Sequence, residues 1–141
     1  MFAEREILLE WKVNHVHIRV RADHIVEYTI DDNSRTTLAD QMEITQSLIN
    51  RLGMEKKYAL VVVSGDFAEH DPEAIRYGRS TEDTSPFICS AIVAPSLPKR
   101  LAANFYFTVF KPTIAYRLVA TMEEGEAWGM KQLEKNHSAG K

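Results

Sequence analysis

The chain has 141 residues, a formal net charge of −3, 45% hydrophobic and 26% charged residues, which is the profile of a single soluble globular domain. That balance offers no broad electrostatic attraction to a nucleic-acid backbone, the lone Cys89 cannot form an internal disulfide, and no apolar run approaches the roughly twenty residues that span a bilayer. The first residues mix charges of both signs without the basic-then-apolar layout of a secretory signal, so the expected location is the cytoplasm.

Residues 7–13 read either as an extra strand or as an irregular lead-in. Over residues 16–22, Val16, Ile18 and Val20 alternate with His17, Arg19 and Arg21, the period of a half-buried strand. Asp23-His24 predicts a turn, and Ile25, Tyr28 and Ile30 mark a second strand over 24–30, so the two form an antiparallel hairpin. Asp31-Asp32-Asn33-Ser34 is a turn by composition. A helix follows, capped by Thr36 or Thr37, with an inward stripe of Leu38, Met42, Thr45, Leu48, Ile49 and Leu52 and a stop at Gly53.

Residues 58–65 are apolar on both faces, as in a central strand covered from both sides. Asp71-Pro72-Glu73 starts a short helix, with the Asp71 oxygen as its cap, that fades before Ser80, and 80–85 is an exposed polar loop. Residues 88–94 read as a buried strand, and Ser96 opens a helix running through Val109 until Lys111-Pro112 ends it. Residues 113–120 form the last strand. Thr121 and Glu124 make a capping box for a final helix reaching about Lys135, with 137–141 expected to fray.

Strand followed by helix, three times over, is the pattern of parallel strands joined by crossover helices. The expected fold class is therefore α/β: a mixed sheet of about five strands, mostly parallel after an N-terminal antiparallel hairpin, with helices on both faces of one domain.

This order resembles the SpoIIAA-like domains, the group that contains the STAS anti-sigma-factor antagonists and is distantly similar in shape to the CRAL-TRIO lipid carriers. The resemblance covers roughly residues 16–133 and is carried by TTLADQMEITQSLINRLG, YALVVVSGD, AIVAPSLPKRLAANFYF and KPTIAYRLVATMEEGEAW. It implies a small stand-alone bacterial regulatory or binding module. STAS antagonists carry a phosphorylated serine in an Asp-Ser-Ser/Thr-Gly turn after the third strand. The corresponding stretch here is Val63-Ser64-Gly65-Asp66-Phe67, without the serine pair or the preceding aspartate, so the phosphosite is not carried over.

Two regions stand out as binding candidates. The carboxyl ends of the parallel strands form the place where open α/β sheets put ligands. Ser64, Asp66, Ser96 and Thr121 fall there, with Lys99, Arg100 and Asn104 on the helix that follows, and an anion could dock at such helix starts. Against this, Ser96 and Thr121 serve equally well as plain caps and Asp66 as a turn residue. The second region is LAANFYFTVF, residues 101–110. Leu97, Leu101, Phe105 and Val109 form the expected inward stripe, while Tyr106, Phe107 and Phe110 fall partly outside it. A helix apolar nearly all round is buried on several sides or meets a partner.

Other constellations are weak. His15 and His17 flank Val16 and share a strand face, but they lack two further ligands at defined spacing. His70-Asp71 reads as a solvated loop pair. Ser64-Gly65 lacks the nucleophile-elbow pattern of a serine hydrolase. The acidic pairs Asp31-Asp32, Glu82-Asp83 and Glu123-Glu124 fall in turns or first helical turns, where acids stabilise local structure. Cys89 falls mid-strand, buried and inert. The sequence therefore points to a non-catalytic module without metal or cofactor. It would associate as a homodimer, or with a protein or small apolar ligand, through Phe105, Tyr106 and Phe107, with Arg100 and Asn104 orienting the contact. A lipid or hydrophobic-metabolite carrier and a small hydrolase are the alternatives.

Overall fold

The computed structural model describes residues 6–139, apart from the side chains of residues 109, 110, 138 and 139. Its elements are β1 (Ile7–Val13), β2 (Val16–Arg21), β3 (Ile25–Ile30), β4 (Arg35–Thr36), α1 (Leu38–Leu52), β5 (Tyr58–Ser64), β6 (Glu69–His70), α2 (Pro72–Ser80), β7 (Phe87–Val93), α3 (Leu97–Phe110), β8 (Ala115–Val119) and α4 (Met122–Ala139). The fold is α/β, with a mixed sheet in the order β1-β2-β3-β5-β7-β8. The β1, β2 and β3 pairings are antiparallel and all later ones are parallel.

The sheet has six strands rather than about five because residues 7–13 pair with β2. Trp11 explains why they do. It is buried against α1, its indole nitrogen donating to Ser47 Oγ at 3.2 Å and its ring lying 4.7 Å beneath the Arg51 guanidinium. Beside it the ladder shifts register between Ile7 and Leu9, and Leu8 and Leu9 are both exposed. That irregularity breaks the alternation by which a strand is recognised. A second, two-stranded parallel ladder joins β4 to β6. His70 belongs to it and is half-buried, not a solvated loop residue.

Alternation along each strand separates two apolar layers. Val16, Ile18, Val26, Tyr28, Ile30 and Tyr58 pack with Ile44 and Leu48 of α1. Ile25, Ala59, Val61, Cys89, Ala91 and Val119 pack with Met122, Trp128, Met130 and Leu133 of α4. The strand order β3-β5-β7-β8 advances in one direction, so right-handed crossovers put α1, α2 and α3 on one face and leave α4 alone on the other. Two glycines let α4 sit close. A Cβ on Gly125 would lie 3.1 Å from Val61 and 3.3 Å from Ala91, and one on Gly129 would lie 3.0 Å from Ala59. Cys89 has no exposed surface, and burial pushes its thiol up to about 12.

Several local expectations change. Thr37, not Thr36, caps α1, in a reciprocal box with Asp40. Thr36 is buried and bonded to His15 Nε2 at 2.7 Å. The helix is rotated so that Ile44, absent from the expected stripe, is fully buried, whereas Met42 is 47% exposed. Gly53, at φ 69°, stops it as expected. Asp71 precedes α2 without capping it, since its carboxylate accepts from Arg35 Nε at 2.7 Å. The helix continues to Ser80, and a 3-10 turn, Glu82–Thr84, interrupts the expected loop. Thr121 Oγ1 caps α4 through the Glu124 amide, and Glu124 reaches back to the Ala120 amide. The helix passes Lys135 and includes His137; residues 140–141 lie outside the described residues.

On the α4 side, Arg21 is 6% exposed in a place where the β2 alternation suggested water. It forks onto Asp23 through Nε and Nη2, meets Glu126 of α4 at 2.7 Å and lies 3.7 Å from Glu27. Burial, then the hydrogen bond and negative charge of Glu126, raise Glu27 to about 7 from 4.5, with Arg19 and Arg21 opposing. Between those values the folded chain holds a proton that the unfolded chain has lost, so this group's contribution to stability falls as pH rises. Glu27→Gln is expected to remove about 2 kcal/mol of that decline between pH 5 and pH 8, read as converging urea midpoints. An unchanged pH slope would show that Glu27 does not titrate there.

Candidate functional site

The crevice lies where the antiparallel hairpin gives way to the parallel ladder. β3 and β5 end side by side, with Ile30 beside Ser64, and the turn after β3 folds onto Gly65. A Cβ on that glycine would lie 2.5 Å from backbone atoms of Asp31 and Asp32 and 2.6 Å from the Ile30 oxygen. Only a residue without a side chain fits. The Asp66 amide then donates to Asp32 Oδ1 at 2.7 Å, and the Asn33 amide to the Asp66 carbonyl at 2.8 Å.

From the other side, the first turn of α3 reaches over the strand ends. Lys99 Nζ donates to the Ser64 carbonyl at 2.9 Å and lies 3.1 Å from Asp66 Oδ1. The result is a cavity of about 400 Å³ lined by Thr29, Asp31, Asp32, Ser64, Asp66 and Lys99, among others. Three carboxylates face one ammonium that is already engaged, and Lys12 pairs Asp31 at 3.1 Å from outside. This charge balance is opposite to what the anion expectation requires. Among the described residues no group of three or more His, Cys, Asp or Glu could hold a metal ion.

Of the expected crevice residues, the fold brings Ser64, Asp66 and Lys99 together. Ser96 Oγ accepts from the Lys99 amide at 3.4 Å as the cap of α3, and Thr121 caps α4. Arg100 turns back to the Ala94 carbonyl, with Nε at 3.2 Å. His15 sits in the β1–β2 turn on Thr36, and His17 meets Glu10 at 2.8 Å, so the two histidines serve separate partners. Asp31, Asp32 and Gly65 were missed as site residues. Asp31-Asp32 was visible only as a turn, and nothing local says that the turn presses on Gly65.

The aromatic helix is turned the other way round. Leu97, Leu101 and Phe105, expected inward, are 64%, 60% and 70% exposed, whereas Phe107 is buried at 8%. The reason lies at the helix start. Lys99 and Arg100 point to the strand ends and bond carbonyls of Ser64 and Ala94, which rotates Leu97 and Leu101 to water. Two turns further on, Phe107 stacks on Tyr116 of β8 with ring centroids 4.0 Å apart, and Tyr106 meets its edge at 5.2 Å. Burial, with Glu82 nearby, raises the Tyr106 hydroxyl above its ordinary range. The Val109 and Phe110 side chains, assigned to the stripe and beside it, lie outside the described residues.

At 100° per residue, the outward side of α3 carries Leu97, Pro98, Leu101, Ala102, Asn104, Phe105 and Thr108, all exposed and none charged. Phe67, which follows Asp66, is 84% exposed and held at φ 58°, a conformation a bulky residue adopts only under constraint. The Lys99–Asp66 ion pair ties the loop carrying Phe67 to α3. Between α3 and β8 runs an open groove of about 510 Å³ bordered by Asn104, Phe107, Thr108 and Tyr116.

No helix among the described residues is long and apolar enough to cross a membrane. No curated protein matches the chain. The profile of the family described as "Domain of unknown function (DUF7793)" matches residues 18–133, from within β2 into α4, and the chain belongs to that family.

Proposed function

We propose that the protein is a non-catalytic, cytoplasmic binding module of SpoIIAA-like type that acts through association at the outward face of α3. The observation that carries this reading is the exposure of Leu97, Leu101 and Phe105 on a helix face without a charged residue. Monomer surfaces rarely leave a contiguous apolar patch of this kind uncovered. Spaced at i, i+4 and i+8, the three form one ridge of the type that interdigitates with a like ridge on a second helix. With no charge on that face, two copies meet without repulsion, so a homodimer about a two-fold axis is the association that fits. Phe107, by contrast, belongs to the core and is not a contact residue. Asn104 stays available to orient the partner, while Arg100 is spent on Ala94.

The reading needs neither cofactor nor metal, and the net charge of −3 gives nucleic acid no purchase. A carrier would need an enclosed space beneath α3, and Phe107 fills that position against Tyr116.

Native mass spectrometry on protein purified without denaturant is expected to show a dimer of bare chains. Phe105→Asp should return it to a folded monomer, its melting temperature lowered only by the stabilisation that association had added. A bare monomer at tens of micromolar would end the homodimer reading. Co-purified apolar mass lost with Phe105→Asp would support the carrier instead.

A further inference from the structure

The sheet ends on β8, and beyond it the described residues place no further strand. The Ala94 amide donates to the Val119 carbonyl at 2.8 Å, so Val119 faces its backbone toward β7. By strand alternation Arg117 and Ala115 do the same, and Tyr116 and Leu118 turn both N–H and C=O outward. These two residues also border the groove of about 510 Å³ beside Phe107, Asn104 and Thr108. Open backbone groups and a groove of mixed lining, apolar at Phe107, Pro112 and Tyr116 and polar at Asn104, Thr108 and Lys111, therefore meet at the same residues. The opposite edge is protected: β1 has its register shift and carries Glu10 and Lys12, whereas β8 pairs with β7 without a shift and has one charge, Arg117.

We propose that the free edge of β8 accepts an extended peptide strand, with an acidic residue opposite Arg117 and apolar residues on either side lying over the groove beside Phe107 and Tyr116. A strand supplies what the edge lacks, namely partners for the Tyr116 and Leu118 backbones. In an antiparallel match the residues opposite Tyr116 and Leu118 share their face and lie over the groove, while the residue between them lies beside Arg117. Arg117 is exposed and makes no ion pair among the described residues, so an acidic partner residue complements it.

A second copy is disfavoured at this edge. The two-fold register that pairs Tyr116 with Leu118 in both directions sets Arg117 directly against its own copy in a close, non-hydrogen-bonded pair. This site shares Asn104 and Thr108 with the outward side of α3 but not the ridge of Leu97, Leu101 and Phe105.

The probe is an acetylated, amidated heptapeptide of serine, threonine, valine, glutamate, valine, threonine and serine, titrated by calorimetry. Binding on the order of 100 µM is expected for one short added strand. Replacing its glutamate by lysine should weaken binding roughly fivefold, and Arg117→Glu should reverse that preference. Methylating both valine nitrogens, whose hydrogens face β8, should abolish binding, and Phe105→Asp should leave it intact even where it dissolves a dimer. No binding at millimolar peptide, or binding indifferent to N-methylation, overturns the proposal and leaves Arg117 as an edge guard only. A dimer that survives Phe105→Asp but is lost with Leu118→Pro would put a second copy on the edge and overturn it too. Proline there removes only an outward N–H, which an edge strand tolerates.

Discussion

Arg21→Met is expected to lower the unfolding free energy by about 3 kcal/mol at pH 7.5, or about 10 °C in melting temperature. The size follows from what stays behind. Asp23, Glu27 and Glu126 converge on the guanidinium from the β2–β3 turn, β3 and α4, and without it they keep their charges in a region Arg21 had closed from water. Breaking a buried ion cluster from one side costs far more than the cluster contributes as a whole. The penalty should shrink toward pH 5, because Glu27 holds its proton up to about 7 and below that adds no charge to be left unpaired. Chemical denaturation of parent and variant at pH 5.0 and 7.5 measures both effects. Equal destabilisation at the two pH values would mean that lost packing by the arginine stem, rather than charge, sets the cost.

Gly65→Ala is expected to cost about 3 kcal/mol for a different reason. The added methyl would meet backbone, not side chain, on the turn of Ile30, Asp31 and Asp32, so no rotamer change relieves it. Either the turn lifts or β5 shifts, and both pull Asp66 from Asp32 and Lys99 from the Ser64 carbonyl. Amide hydrogen exchange should therefore show lost protection at Asn33 and Asp66, whose amides bond across this junction, before any general loosening. Unchanged protection there, with a melting temperature within about 2 °C of the parent, would show that the junction has slack the contact distances deny.

The strand–helix rhythm after residue 58 was legible because each element there agrees with its neighbours in period, caps and length. It yielded the parallel β5, β7 and β8 and the class of the fold. What escaped were facts set between elements. β1 hid behind its register shift and the adjacent pair Leu8-Leu9, and β4 and β6 are too short to have a period. Arg21 looked like a solvent residue because alternation shows which side of the sheet a residue takes, not whether a helix covers that side. The crevice was half read: Ser64, Asp66 and Lys99 do meet, but the acidic turn of Asp31 and Asp32 arrives from a distant part of the chain. On α3 the period was right and the phase wrong. A helix apolar nearly all round offers two equivalent stripes, and two long basic side chains seeking carbonyls chose between them.

The one-sided distribution of the helices has a consequence for synthesis. α1, α2 and α3 leave the ribosome interleaved with the strands they cover, so that face can close as it grows. The layer of Ile25, Val61, Cys89 and Ala91 gains its cover only from Met122, Trp128, Met130 and Leu133. At translation rates of roughly 5–20 residues per second, Ile25 waits on the order of five seconds or more for Trp128, which lies just over a hundred residues further along. During that interval the nascent domain carries a bare apolar floor, the kind of surface a holding chaperone recognises.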